Sequence, residues 1–206
     1  KDKWKGEHFH KTYFKPRTFE TKQTEKEFKI LFDGALGANS RLPVFDIKLE
    51  YTFTSNGVNI NIHAERNKNL SAMNRTSSEE SEVDIHLKTE INEVPRFGMR
   101  FAFKDEFENI EYFGMGDREC YIDYCQHTKM GIWKSTVTGE YEPYIKPQDC
   151  ANHIKVKYVN LSSNTSNVKV YAKNNFEFSA LHYTIEALDK ANHTFELEKS
   201  DTTELL

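Results

Sequence analysis

Gly114-Met115-Gly116-Asp117-Arg118-Glu119-Cys120 gathers two glycines, three charges and a thiol into seven residues. A Gly-x-Gly turn can cradle a phosphate, and a thiol among charges can do redox chemistry. A dinucleotide loop, however, needs a strand before it, a helix after it and a third glycine. The residues that follow, Cys120 to Tyr124, do not start a helix. Gly114 and Gly116 are therefore read as permitting a bend or bulge inside a strand. Cys120 and Cys125 stand in C-x4-C spacing, and Cys150 and His153 in C-x2-H spacing. The four could ligate zinc, yet the spacings match no common zinc pattern, and cysteine often packs as a small buried hydrophobe. His8 and His10 share one strand face and read as surface. Carboxylates such as Asp105, Glu106 and Glu108 abound, but none is marked as an acid–nucleophile pair. No Gly-x-Ser-x-Gly elbow occurs. The residue types predict no catalytic residue, no metal and no cofactor in this segment.

The elements that position these residues are strands. Phe45, Ile47, Leu49, Tyr51 and Phe53 alternate with Asp46, Lys48, Glu50 and Thr52, the period-two mark of a half-buried strand. Val58, Ile60 and Ile62 continue it beyond Asn56-Gly57, a dipeptide suited to a primed hairpin turn. Val83, Ile85 and Leu87 alternate too, as do Phe97, Met99, Phe101 and Phe103. The polar run Asn160–Asn167 reads as a hairpin loop ahead of a strand over Val168–Ala172. One short helix is expected near Thr184–Ala191, with Thr184 as its N-cap. The polar, Ser-rich stretch Glu65–Glu82 reads as a long exposed loop. The fold class is all-β, a large antiparallel β-sandwich formed as one domain over residues 1–206.

The chain has 206 residues and a formal net charge of −4. Its mild acidity and mixed charges speak against nucleic-acid partners and a polybasic membrane surface, and basic–aromatic clusters such as His10–Arg17 read as a solvated strand face. No apolar run reaches the roughly 18 residues of a membrane helix. Three cysteines make no disulfide framework, so Cys120, Cys125 and Cys150 are expected unpaired and mostly buried, in a cytoplasmic setting. Sequons at Asn74, Asn160, Asn164 and Asn192 are read as chance.

Four stretches carry more. VPRFGMRFAF, IEYFGMGDRECYIDY, YEPYIKPQDCANH and FEFSALHYTIEALDKANHTFEL follow one another in order. Their order, spacing and wording resemble the C-terminal domain of family-two β-galactosidases, also found as the separate small chain of split enzymes. The resemblance spans about Val94 to Leu197, with Trp4 and the strands from Phe28 to Ala64 fitting a weaker upstream part. It implies a galactose-mutarotase-like supersandwich that is not itself catalytic. It would pack on the catalytic barrel domain or large subunit and help complete the active-site wall of an enzyme that hydrolyses terminal β-galactosides. The positions matching the family motifs are Pro95, Arg96, Gly98, Gly114, Gly116, Tyr121, Asp123, Pro143, Tyr144, Pro147, Gln148, Ser179, Tyr183 and His193, all expected to be structural. There are departures. Asp117 stands where the family has Pro, Cys120 where it has Asn, and Gln148–His153 replaces a Q-E-N-G-N-R type run, losing its glycine and its arginine. The chain is expected to lack family strands before Trp4 and a segment after Leu206, which predicts self-association through an uncovered edge or face. The alternative is a stand-alone carbohydrate-binding or mutarotase-like domain. That chemistry needs a His and a carboxylate converging as acid and base, and His153 and His182 have no partner carboxylate evident from the sequence.

Overall fold

The computed structural model describes residues 11–38, 43–67 and 96–206. Trp4, His8, His10, Asn74, the Val83–Leu87 alternation, Pro95 and most of the Glu65–Glu82 stretch lie outside them. The chain divides into two compact units, residues 1–94 and 95–206.

The first unit is a four-stranded antiparallel meander of β1 (Tyr13–Gln23), β2 (Phe28–Gly37), β3 (Phe45–Thr54) and β4 (Gly57–Arg66), in that spatial order. The register places Phe19, Phe32, Leu49 and Ile62 in one row and Thr18, Asp33, Lys48 and His63 in the next. Alternation thus separates an aromatic face from a charged one. A bulge between Pro16 and Thr18 turns Arg17 toward Asp46, 2.7 Å away, and Asp33 at 3.7 Å. The hairpin after β3 is not primed. Its central residues are Ser55 and Asn56, neither with positive φ, and Gly57 (φ 142°) pairs with Thr54 as the first residue of β4. The Thr54 hydroxyl accepts from Asn56 N at 3.2 Å and holds the turn, a local side-chain bond that displaces the Asn-Gly geometry by one residue.

The second unit is also antiparallel throughout. One sheet has the order β7-β6-β8-β9, built from β6 (Asn109–Gly116), β7 (Lys129–Thr136), β8 (His153–Ser162) and β9 (Asn167–Phe178). The other has the order β10-β11-β5, from β5 (Phe101–Lys104), β10 (Ala180–Leu181) and β11 (Thr202–Leu205). Ile110, Tyr112, Val156, Val159, Leu161 and Phe178 from the first sheet close on Ala180, Leu205 and the rings of Phe101 and Phe103 from the second. This is sheet-on-sheet packing. Among the described residues two short α-helices occur rather than one. The expected helix is α2 (Ile185–Lys190), capped by the Thr184 hydroxyl, which accepts from Ala187 N. The unexpected one, α1 (Val137–Glu140), is capped by Thr136, and its four residues are too few to leave a period in the sequence. The polar run before β9 is the expected hairpin loop, folded on Ser163 Oγ, which accepts from Thr165 N and Ser166 N. Of the Phe97–Phe103 alternation, only Phe101–Lys104 is strand.

Candidate functional site

The motif glycines sit in a regular strand. β6 pairs with β7 without interruption from Asn109 to Gly116, so there is no bulge at either glycine. Their reason is space. A Cβ on Gly114 would lie 2.8 Å from Val156 Cγ2, and one on Gly116 would strike the Tyr112 hydroxyl and the Trp133 ring. At Gly98 the same atom would meet nothing within 4 Å.

Beyond Gly116 the chain enters a polar cluster centred on Glu119, which the sequence reading passed over. Its carboxylate accepts from the Tyr144 hydroxyl, from Ala151 N at 2.8 Å and from the Tyr121 hydroxyl at 3.3 Å. Its backbone carbonyl is 3.0 Å from His127 Nε2. Arg96 pairs with Asp149, whose carbonyl lies 3.4 Å from the Tyr121 hydroxyl. Three motif positions, Arg96, Tyr121 and Tyr144, are thereby brought together, and they tie the segment at 96, the loop 117–128 and the loop 141–152 to one another. The Glu119 carboxylate holds Tyr144 in its phenol form and, with burial, pushes its pKa well above the ordinary value. Carboxylate oxygens saturated by structural donors make poor nucleophiles, so this arrangement positions loops.

A second network lies beneath β6. His153 is fully buried, its Nδ1 2.9 Å from the Tyr112 hydroxyl and its Nε2 2.7 Å from Glu140, whose side chain is 6% exposed. Burial alone would lower the His153 pKa. Hydrogen bonds to Cys120 and Glu140, with their charge, outweigh it and push the imidazole up to about 9. When protonated, the ring donates from Nε2 to Glu140 and from Nδ1 to the Tyr112 hydroxyl. In the resemblance His153 stands where the family has arginine. The partner carboxylate not evident from sequence is Glu140. His182 has one too. Its Nε2 is 2.6 Å from Glu108, which also accepts from Thr138 N at 3.0 Å. Burial raises the Glu108 pKa, but the bonds from His182 and Thr138 bring it below the usual carboxylate value.

Ala151 (φ 64°) occupies the left-handed region at the position where the family has glycine. Ser179 is buried and exchanges backbone hydrogen bonds with Leu206. Tyr183 packs on the cluster of Cys150, Leu181 and Leu188, and Pro147 is buried beside Gln148, which is exposed. Gly98, Asp123 and Pro143 are exposed. His193 stacks on Phe195 at the surface. The three cysteines are unpaired, with Cys120 and Cys150 buried and Cys125 half-buried. Among the described residues no three His, Cys, Asp or Glu side chains gather as a metal would require, and no helix is long and apolar enough to cross a membrane. A hollow of about 510 Å³ on the charged face of the first unit is lined by Asp33, Lys48, Glu50 and His63 among others. Several of its charges are already paired, Asp33 with Arg17, Glu50 with Lys29 and His63 with Glu65.

Fold and site together define an all-β antiparallel domain whose buried polar groups hold loops in place. Comparison with known families makes this specific. Residues 1–206 match the model of the β-galactosidase small chain, and the chain belongs to that family. It is 26% identical over 202 residues to a β-galactosidase of Actinobacillus pleuropneumoniae, a match covering 98% of this chain and 18% of that protein. It is 35% identical over 118 residues to a β-galactosidase of Streptococcus thermophilus, covering 56% of this chain and 12% of that one. For the β-galactosidase of Staphylococcus xylosus the figures are 31% over 112 residues, 54% and 11%. The chain thus spans less than a fifth of the length of these relatives.

Proposed function

We propose that this chain is a non-catalytic domain of a β-galactosidase, which packs on the catalytic part of the enzyme and helps complete its active site. The observation that carries the reading is the Glu119 cluster. Its half-buried polar groups fix two loops whose tips face solvent with large apolar side chains, Ile122 at 86% and Ile145 at 96% exposure. Rigid loops with apolar tips serve a surface that something else meets. The carboxylates of the second unit support the same conclusion. Glu119, Glu140 and Glu204 are engaged by Tyr144, His153 and Arg100 respectively, which leaves them unsuited to act as a paired acid and nucleophile. The buried His153–Glu140 pair offers a sugar no access, which disfavours mutarotase chemistry. The test is turnover of a chromogenic β-galactoside by the whole enzyme, by the enzyme lacking this segment, and by the segment alone. Activity is expected only where both parts are present. Turnover by the segment alone, abolished by changing one of its own carboxylates, would overturn the reading.

A further inference from the structure

The β7-β6-β8-β9 sheet has two apolar faces, and the fold uses one. Ile110, Tyr112, Val159 and Leu161 point into the sandwich and are buried there. On the opposite face the register aligns Ile132, Phe113, Tyr158 and Tyr171 in a single row across all four strands. Met130 lies beside Met115 in the next row. Ile132 is 63% and Tyr171 75% exposed. The outer face of a two-layer sandwich is ordinarily polar, and the row on the other side obeys that rule. There Glu111 pairs with Lys134 and accepts from the Tyr158 hydroxyl, and Lys169 lies 3.7 Å over the Tyr158 ring. The charged row is internally satisfied, while the apolar row is surplus to the sandwich.

We propose that this row is the docking surface for the part of the β-galactosidase polypeptide that lies outside this chain. The inference rests on the small-chain reading above. The occupant follows from length, because the matches cover 18%, 12% and 11% of three relatives, so most of each relative has no counterpart here. It also follows from composition. Aromatic, Met and Ile side chains rimmed by Lys and Glu are the make-up of a protein interface, with the anchors at its centre. A sugar would need open ring faces, and Lys169 already covers one face of Tyr158.

Two measurements test it. In oxidative footprinting, Met130 and Tyr171 should react freely in the isolated chain and several-fold more slowly in the whole enzyme. The substitutions Ile132→Asp and Tyr171→Asp, at exposed positions, should leave the circular dichroism and melting of the isolated chain nearly unchanged. They should weaken its association with the remainder of the enzyme by about tenfold or more. If the unaltered chain associates and both variants associate equally well, the docking face lies elsewhere and the small-chain reading stands. If the unaltered chain does not associate and activity is independent of it, both fall. Protection of Met130 and Tyr171 already present in the isolated chain, or a concentration-dependent dimer that Ile132→Asp abolishes, would also overturn the proposal. In those cases the occupant is the chain itself or a second copy.

Discussion

The sheet of residues 13–66 and the sandwich of residues 101–206 deal differently with charge. In the first, charged groups stay on one face and pair in solvent, as Arg17 does with Asp33 and Asp46 and Lys29 with Glu50. Such pairs contribute little to stability. The aromatic face opposite is half open, with Phe19 67% exposed. In the second, several charged groups are buried or half-buried and find partners there: His153 with Glu140, Glu204 with Arg100, and half-buried Glu119 with two tyrosines and a backbone amide, while Asp149 Oδ1 is buried without one. Buried polar networks are worth most when complete and cost most when broken. The comparison therefore says where substitutions should hurt.

The largest contrast is expected between two phenylalanines. Phe178, 2% exposed in the sandwich core, should cost about 3 to 5 kcal/mol when changed to Ala. Phe19→Ala should cost less than about 1 kcal/mol. Urea titration of both variants checks this, and equal losses would erase the distinction between the units.

The next effect is pH dependence from His153. Its folded pKa, about 9, lies above the ordinary 6.5, so folding favours the protonated ring. The associated stability is fully present below about pH 6.5 and is lost as pH rises through about 9, on the order of 3 kcal/mol in all. Denaturation midpoints measured from pH 6 to 10 should fall over that window, and His153→Gln should flatten the fall. A midpoint unaltered between those pH values would mean that the ring is not the buried cation.

The smallest effect is a gain. Ala151 holds a left-handed conformation that costs an L-residue roughly 1 to 2 kcal/mol, part of which glycine returns as unfolded-state entropy. Ala151→Gly should therefore stabilise the second unit by about 0.5 to 1 kcal/mol, read as a raised melting temperature. A loss instead would show that the alanine methyl, packed with Cys150 and Leu188, outweighs the strain.

Much of the fold was legible because period-two alternation is local. β3, β4 and β9 announced themselves, and Thr184 marked its helix because an N-cap acts three residues away. The misreadings at the site share one cause, contacts between residues far apart in the sequence. The spacing of Gly114 and Gly116 suggests a bend or bulge because most of what crowds them, Val156 and Trp133, comes from other strands, joined at Gly116 by Tyr112 of the same strand. Glu140 carries no sign of its partner in the sequence because it lies on α1 while His153 lies on β8, and only the tertiary fold brings their side chains together. The Glu119 cluster joins residues 25 and 32 positions apart. Arg96, Tyr121 and Tyr144 were reached through family wording, whereas Glu119, inside the same motif, carried no signal of its own until its donors were in place.

The placement of β11 has a consequence in time. Its residues, 202–205, lie between β5 and β10 and are the hydrogen-bonding partner of both. Phe101 and Phe103 therefore leave the ribosome roughly a hundred residues before the strand that pairs with them. At about 5 to 20 residues per second, that interval is on the order of 5 to 20 s. Throughout it the nascent chain carries the unpaired strand β5, with two aromatic side chains of an unfinished core, and β10 joins it only about twenty residues before β11. The β6–β9 sheet can form as synthesis proceeds, but the sandwich can close only when its last strand is made.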